Sequence, residues 1–346
     1  MKRRQIMRGL AAAPLSALAR QARADMGGAV TLIVGGPQGA QTSRWGSACA
    51  LALAAAFPGG PNVLAEPLGG LDGVTGANWL DVQVVPDGKT AAILPGAALI
   101  AWLTGDSRVH FNPTRWVPVL AGGCSGVLMV RAAKPGAPSL QSLQAMAPLR
   151  LAASQPQSND LVALLALARL GVPTAPLFGL HSAATKTRAF IAGEVDAVFL
   201  SGENVPADMA PLTASGAMPV FSLGVQSPSG AVGPDPLFPG LPDVASFGGP
   251  VTPYLGAACQ AAAAAARLDF LLVLPKLTDP DAVAQWRQAA TLATTSPGLR
   301  AAASASWVSL QSPPVLGAAL GALKLQPGDQ SDLQAFLTKN FGWQPG

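Results

Sequence analysis

The sequence predicts an α/β protein of two domains with mainly parallel sheets. From residue 30 onward, short apolar stretches alternate with segments of helical period, the arrangement of strands joined by crossover helices. Half of the residues are apolar and only 12% are charged, so the chain can bury a large core, and its 346 residues exceed what one core usually serves. Two apolar stretches interrupted by glycine, residues 117–130 and 246–256, suit crossings between domains. Gly122, Gly123 and Gly126 break the first, and Gly248, Gly249, Pro250 and Pro253 cluster in the second.

Residues 30–34 (VTLIV) form a continuous apolar strand. The segment from Gln38 leads into a helix with Trp45, Cys49, Ala52, Leu53 and Ala56 on one face and Thr42 or Ser43 as its N-cap. Residues 62–66 form a short strand, after which Gly69, Gly70, Gly73 and Gly76 give a loop able to approach a ligand closely. A helix is expected from Ala77, and the turn Pro86-Asp87-Gly88 delivers the chain into a strand at 91–94. The best-defined helix is 158–171. Ser158 or Asn159 caps it, Asp160 sits in its positive first turn, Leu161, Leu164, Leu165 and Ala168 make its buried stripe, and Gly171 and Pro173 stop it. Ser182 precedes a helix ending at Gly193, with a strand at 195–199 directly after it, and Asp279-Pro280 supplies an N-cap and first-turn proline for the helix through Trp286. The alanine-rich run 257–266 contains Gln260 and ends at Arg267, which reads as a buried or half-buried helix, since a membrane span needs roughly 20 apolar residues.

Residues 1–24 have the three parts of an export signal: Lys2, Arg3, Arg4 and Arg8, an apolar run from Gly9 to Ala19, and the small-x-small site Ala22-Arg23-Ala24. The expected mature protein is periplasmic, with cleavage near Ala24. Arg3 and Arg4 resemble a twin-arginine signal with Ile6-Met7 where Phe-Leu is usual, so the twin-arginine and general secretory routes both stay open. The formal charge of +4 rests on this segment, which holds six basic residues and no acidic one. Without it, 16 Lys+Arg face 18 Asp+Glu, a net charge of −2, and no basic stripe remains for nucleic acid. Cys49, Cys124 and Cys259 are too far apart for a metal motif and read as buried thiols.

Catalytic constellations are missing. His110 and His181 are in no metal-ligand spacing, the glycines around Cys124 do not form a GxSxG elbow, and no cysteine has a partnered histidine. No enzyme, metal or cofactor is expected. A binding site needs only a cleft with convergent donors, and in α/β folds the loops that run from strands into helix N-termini provide them for anions. Four such junctions occur. They offer Gly36, Pro37, Gln38, Thr42 and Ser43; then Gly73, Thr75, Gly76 and Asn78; then Ser154, Ser158 and Asn159; and finally His181 and Ser182. All are candidate ligand contacts rich in hydroxyl and glycine and poor in fixed charge. Lys186 and Arg188 lie further along the last helix and are expected to face solvent.

Residues 66–90, EPLGGLDGVTGANWLDVQVVPDGKT, combine strand end, glycine-rich loop, helix and PDG-T in an order that resembles the Bug family, the TctC-like substrate-binding proteins of tripartite tricarboxylate transporters. Gly35-Gly36-Pro37, Phe111-Asn112-Pro113 with Val117-Pro118-Val119, residues 192–199 (AGEVDAVF) and Leu241-Pro242-Asp243-Val244 resemble further family segments, in family order, over about residues 30–250. The resemblance implies a two-lobed periplasmic binding protein-like fold of type II, with a hinge and interlobe cleft. Lobe 1 would comprise residues 25–125 plus 250–346, and lobe 2 residues 126–249. It further implies a monomer that captures a small carboxylate or related metabolite and delivers it to membrane permease subunits. A periplasmic receptor that passes ligand occupancy to a signalling partner is the alternative, and a hydrolase a weaker one. Asp72 stands where the family has a small residue, which argues against a simple dicarboxylate ligand.

Overall fold

Each lobe of the protein is built on its own sheet, and the chain passes from one to the other at Cys124. The computed structural model describes residues 28–132, 138–145, 148–244, 246 and 252–344. Residues 1–24, expected to be an export signal, and most of the second glycine-rich crossing, including Gly248, Gly249 and Pro250, lie outside the described residues. The chain first lays down β1 (Ala29–Gly35), α1 (Gln41–Ala56), β2 (Asn62–Leu68), α2 (Val74–Val82), β3 (Thr90–Leu94), α3 (Ala97–Thr104) and β4 (Val117–Gly123). The second lobe follows with β5 (Ser125–Arg131), α4 (Leu140–Gln144), β6 (Leu149–Ala152), α5 (Leu161–Arg169), β7 (Thr174–Leu177), α6 (Ala183–Ile191), β8 (Ala197–Gly202), α7 (Val205–Ala214) and β9 (Ala217–Ser222). A small ribbon, β10 (Val225–Gln226) and β11 (Val232–Gly233), comes next. The chain then returns through α8 (Gly256–Ala266), β12 (Leu268–Leu274), α9 (Pro280–Ala293), α10 (Pro297–Ala305), β13 (Ser309–Gln311), α11 (Pro313–Ala322) and α12 (Pro327–Phe341).

The first sheet has the strand order β13-β4-β12-β3-β1-β2 and the second β7-β6-β8-β5-β9. The expectation of mainly parallel sheets holds for only one end of each. β1 pairs in parallel with β2 and β3, and β6 with β7 and β8, where a helix carries the chain back across the sheet. Strands β4, β12 and β13 pair antiparallel in the first sheet, and β5 pairs antiparallel with β8 and β9 in the second. Strands β5 and β12, which carry the chain into each lobe, run against their neighbours, while β4 keeps the direction of β3 and β9 that of β8.

β1 is buried on both faces, as a continuous apolar run requires. Val30, Leu32 and Val34 pack with Trp45, Cys49 and Leu53 of α1, while Ile33 packs with Val74, Ala77 and Leu80 of α2. Asp279 caps α9 as expected, its carboxylate accepting from Asp281 N–H at 2.8 Å, and Trp286 of that helix donates from Nε1 to Gly88 O at 2.7 Å. The alanine-rich run forms α8, whose Ala258, Cys259 and Ala261–Ala266 are buried against α3, α5 and α11. Among the described residues, no helix is long and apolar enough to cross a membrane. All three cysteines are buried free thiols, and burial pushes the Cys49 thiol up to about 12.

Several helix starts differ from expectation. The N-cap of α1 is Ala40 without a side-chain bond, because Thr42 turns inward and donates to Gly35 O at 3.2 Å. Helix α2 begins at Val74, ahead of Ala77, since Gly73 takes φ 73° and Asp72 Oδ1 accepts from Val74 N–H at 3.2 Å. Regular helix in α5 runs over 161–169 instead of 158–171. Ser158 closes a preceding turn, accepting from Asp160 N–H at 3.3 Å and donating to Gln155 O at 2.7 Å. The strand expected at 195–199 runs from Ala197 to Gly202. Ser182 does cap α6, in a reciprocal capping box with Thr185.

Candidate functional site

Where the carboxyl ends of β6 and β8 face α3 and the loop after it, the two lobes enclose a cleft of about 540 Å³. One wall comes from lobe 1, with Leu71, Asp72, Ala97, Ala101, Asp106 and Arg108. The other comes from lobe 2, through the 154–160 loop, the start of α6, the end of β8 and Asp208 of α7. The 154–160 loop exists because β6 must reach α5 on the cleft side of the sheet. Its polar groups close on one another: Ser154 N–H donates to Asp160 Oδ2 at 2.7 Å, and Ser158 Oγ, whose hydrogen goes to Gln155 O, lies 3.1 Å from the same oxygen.

Lys186 is the main departure from the sequence reading. Expected to face solvent, it is buried, paired with Asp160, and 3.3 Å from Phe199 O. Its helix explains why. Ala183, Lys186 and Phe190 stand at i, i+3 and i+7, on the inward stripe of α6 with Ala189, whereas Arg188 lies on the exposed face. That periodicity was a readable signal for the lysine. Asp160, expected in the first turn of α5, is its N-cap and the hub of this buried group.

On the opposite wall, Arg108 Nη1 meets Asp72 Oδ2 at 2.8 Å and its Nη2 meets Asp106 Oδ2 at 2.6 Å. The Arg108 guanidinium hydrogen-bonded to Asp106 holds that carboxyl below the usual range and is itself pushed up by the pairing. Asp72 is thereby committed both to the α2 start and to this cation. Asn78 fixes the arginine's loop from below, donating to Arg108 O at 2.8 Å and accepting from His110 N–H at 2.7 Å.

Of the residues proposed from sequence, Ser154, Ser158, Asn159, His181 and Ser182 line this one cleft, and Ser154 Oγ lies 2.7 Å from His181 Nδ1. The others stand elsewhere. Gly36 bridges to Leu68, Pro37 and Gln38 are exposed beyond it, and Ser43 is half-buried in α1. Thr42 is spent on Gly35 O and Asn78 on the 108–110 backbone. Thr75 is exposed, and Gly73 and Gly76 bring α2 onto β1, a Cβ at Gly76 falling 3.0 Å from Gly35 Cα. Besides Lys186, the sequence reading missed Asp106, Arg108, Gln157 and Asp208 as lining residues. The polar turn after Gly105 could have flagged the first two, while nothing in the 205–214 pattern marks Asp208.

Next to the cleft, the lobes are tied by charge and hydrogen bonds. Arg44 of α1 pairs with Glu203 beyond β8, and Asn204 N–H donates to Ser306 O at 3.2 Å. Asp269 of β12 accepts from Gln41 and, at 2.6 Å, from Trp45 Nε1. Burial raises the Asp269 carboxyl to about 6, and the nearby Glu203 charge adds to the shift.

Two α/β lobes with a polar cleft at strand ends define the architecture of periplasmic solute-binding proteins. Solved structures agree with it. The chain resembles a TctC solute-binding protein from Polaromonas, solved without ligand, at a TM-score of 0.68 and 18% identity over 90% of this chain and 99% of that one. It also resembles MatC from Rhodopseudomonas palustris with bound malate, at 0.55 and 16% identity over 89% and 98%. A second R. palustris protein, with adipate, matches at 0.56 and 17% over 89% and 98%. The chain therefore has the TctC-type solute-binding fold. No family model and no curated protein matches the sequence.

Proposed function

We propose that this protein is an exported solute-binding protein of the tripartite tricarboxylate transporter type. It captures a small organic acid or related metabolite between its lobes and hands it to a membrane permease. The observation that carries this reading is the cleft itself: Ser154, Ser158, His181 and Ser182 from one lobe and Asp72 and Arg108 from the other face a single space of about 540 Å³, within the usual range for small-molecule sites. The malate and adipate bound by two proteins of the same fold suit that volume and support the assignment. Export is supported by the signal-like residues 1–24, and sequencing the N-terminus of the secreted form should find it near Asp25.

The binding test is mass spectrometry of small molecules released from protein purified without denaturation, followed by calorimetric titration of whatever is identified. Small-angle scattering on the same samples should show contraction with ligand. Protein that carries no small molecule, binds none from a broad metabolite panel and keeps its dimensions would exclude this function.

A further inference from the structure

We infer that the captured metabolite carries a protonated amine or guanidinium group, recognised by Asp208. This rests on the cleft being the ligand site. The charges of the cleft lead to it. Its walls bear four carboxylates, Asp72, Asp106, Asp160 and Asp208, against the two cations Arg108 and Lys186. Both cations are already paired, Arg108 with Asp72 and Asp106 and Lys186 with Asp160. A dicarboxylate would sit among four carboxylates whose counter-charges are already engaged.

What the cleft leaves unpaired is a carboxylate. The Asp208 carboxylate makes no hydrogen bond or ion pair among the described residues, and its partial burial disfavours the charged form. A half-buried carboxylate without a donor is costly, so a ligand that supplies N–H groups and a positive charge gains most here. An ammonium or guanidinium does both at once. A carboxylate on the same ligand still has a place, at the start of α6, where Ser182 and Ala183 line the cleft.

The test is calorimetric titration of the full mature chain with L-lysine and putrescine, set against malate and adipate. We expect saturable binding of at least one amine, about tenfold or more tighter than either dicarboxylate. Asp208→Asn should weaken the amine by about tenfold or more, since hydrogen bonds to charged groups carry that much. The variant should unfold within error of wild type, which separates a lost contact from a lost fold. If the dicarboxylates bind and the amines do not, or if Asp208→Asn leaves amine affinity unchanged, the inference fails while the solute-binding reading stands. If no member of either class or of the broader metabolite panel binds, both fail.

Discussion

Replacing Lys186 by methionine is the sharpest perturbation of the cleft floor. The lysine side chain is 11% exposed and its Asp160 partner 3%, so water screens the pair little. Removing one member of a buried ion pair typically costs about 3–5 kcal/mol, because the other charge is left uncompensated. Here Asp160 would keep the donor Ser154 N–H at 2.7 Å, which places the expected loss near the lower end, about 3 kcal/mol. The assay is urea unfolding followed by fluorescence and circular dichroism together, with coincident transitions and an unchanged m-value as the condition for comparing free energies. The double variant Lys186→Met/Asp160→Leu should recover part of the loss, since no bare charge remains and only the Ser154 N–H loses its acceptor. A cost below about 1 kcal/mol for Lys186→Met, the range of solvent-exposed pairs, would refute the buried-hub account of Asp160.

Two further outcomes follow from the packing. Asp269 is held near 6 by burial, above its ordinary 3.8, so the folded state binds this proton more tightly than the unfolded one. Its contribution is fully present below pH ~4 and is lost as pH rises through ~6, about 3 kcal/mol for a shift of roughly two units. Unfolding free energies measured from pH 4 to 7 should decline less steeply in Asp269→Asn than in wild type, and equal slopes would contradict the assignment. Gly73→Ala should cost about 2–4 kcal/mol, because φ is 73° and the new Cβ would lie 2.4 Å from Pro95 Cδ. Gly70→Ala in the same loop, with no atom nearer than Asp72 Oδ1 at 3.7 Å, should change stability by under about 0.5 kcal/mol, and similar losses for the two would show that the loop backbone is not constrained as described.

The local signals were strong where one stretch of chain decides its own conformation. β1, the Asp279-Pro280 start of α9 and the Ser182 cap of α6 rest on neighbours within a few residues, and they were legible for that reason. Strand direction was not, because β12 meets β3 and β4 from more than 140 residues away and a strand's sequence does not name its partner. The start of α5 was misplaced for a related cause. Asp160 looks like a first-turn residue, yet Ser154 and Lys186 draw its carboxylate into a cluster assembled from three segments. The candidate site was half legible. Hydroxyls at strand–helix junctions led to Ser154, Ser158 and Ser182, but Thr42 and Asn78, chosen by the same rule, are consumed in holding loops in place. The rule identifies residues that can donate and cannot say to whom.

Helix α8 has a consequence for how the two lobes are assembled. Its buried alanines lose no side-chain rotamers on folding, so the element packed against α3, α5 and α11 is fixed at little entropic cost beyond its backbone. The same poverty of atoms lets main chains approach closely: a Cβ at Gly96, at the head of α3, would fall 2.2 Å from Ala265 O. Contact there is backbone against backbone, with no long side chain to swing aside and absorb a misfit. Sequence drift should therefore be slow along this helix and fast along the cleft loops, which would let descendants of this chain change their ligand while keeping the same joint.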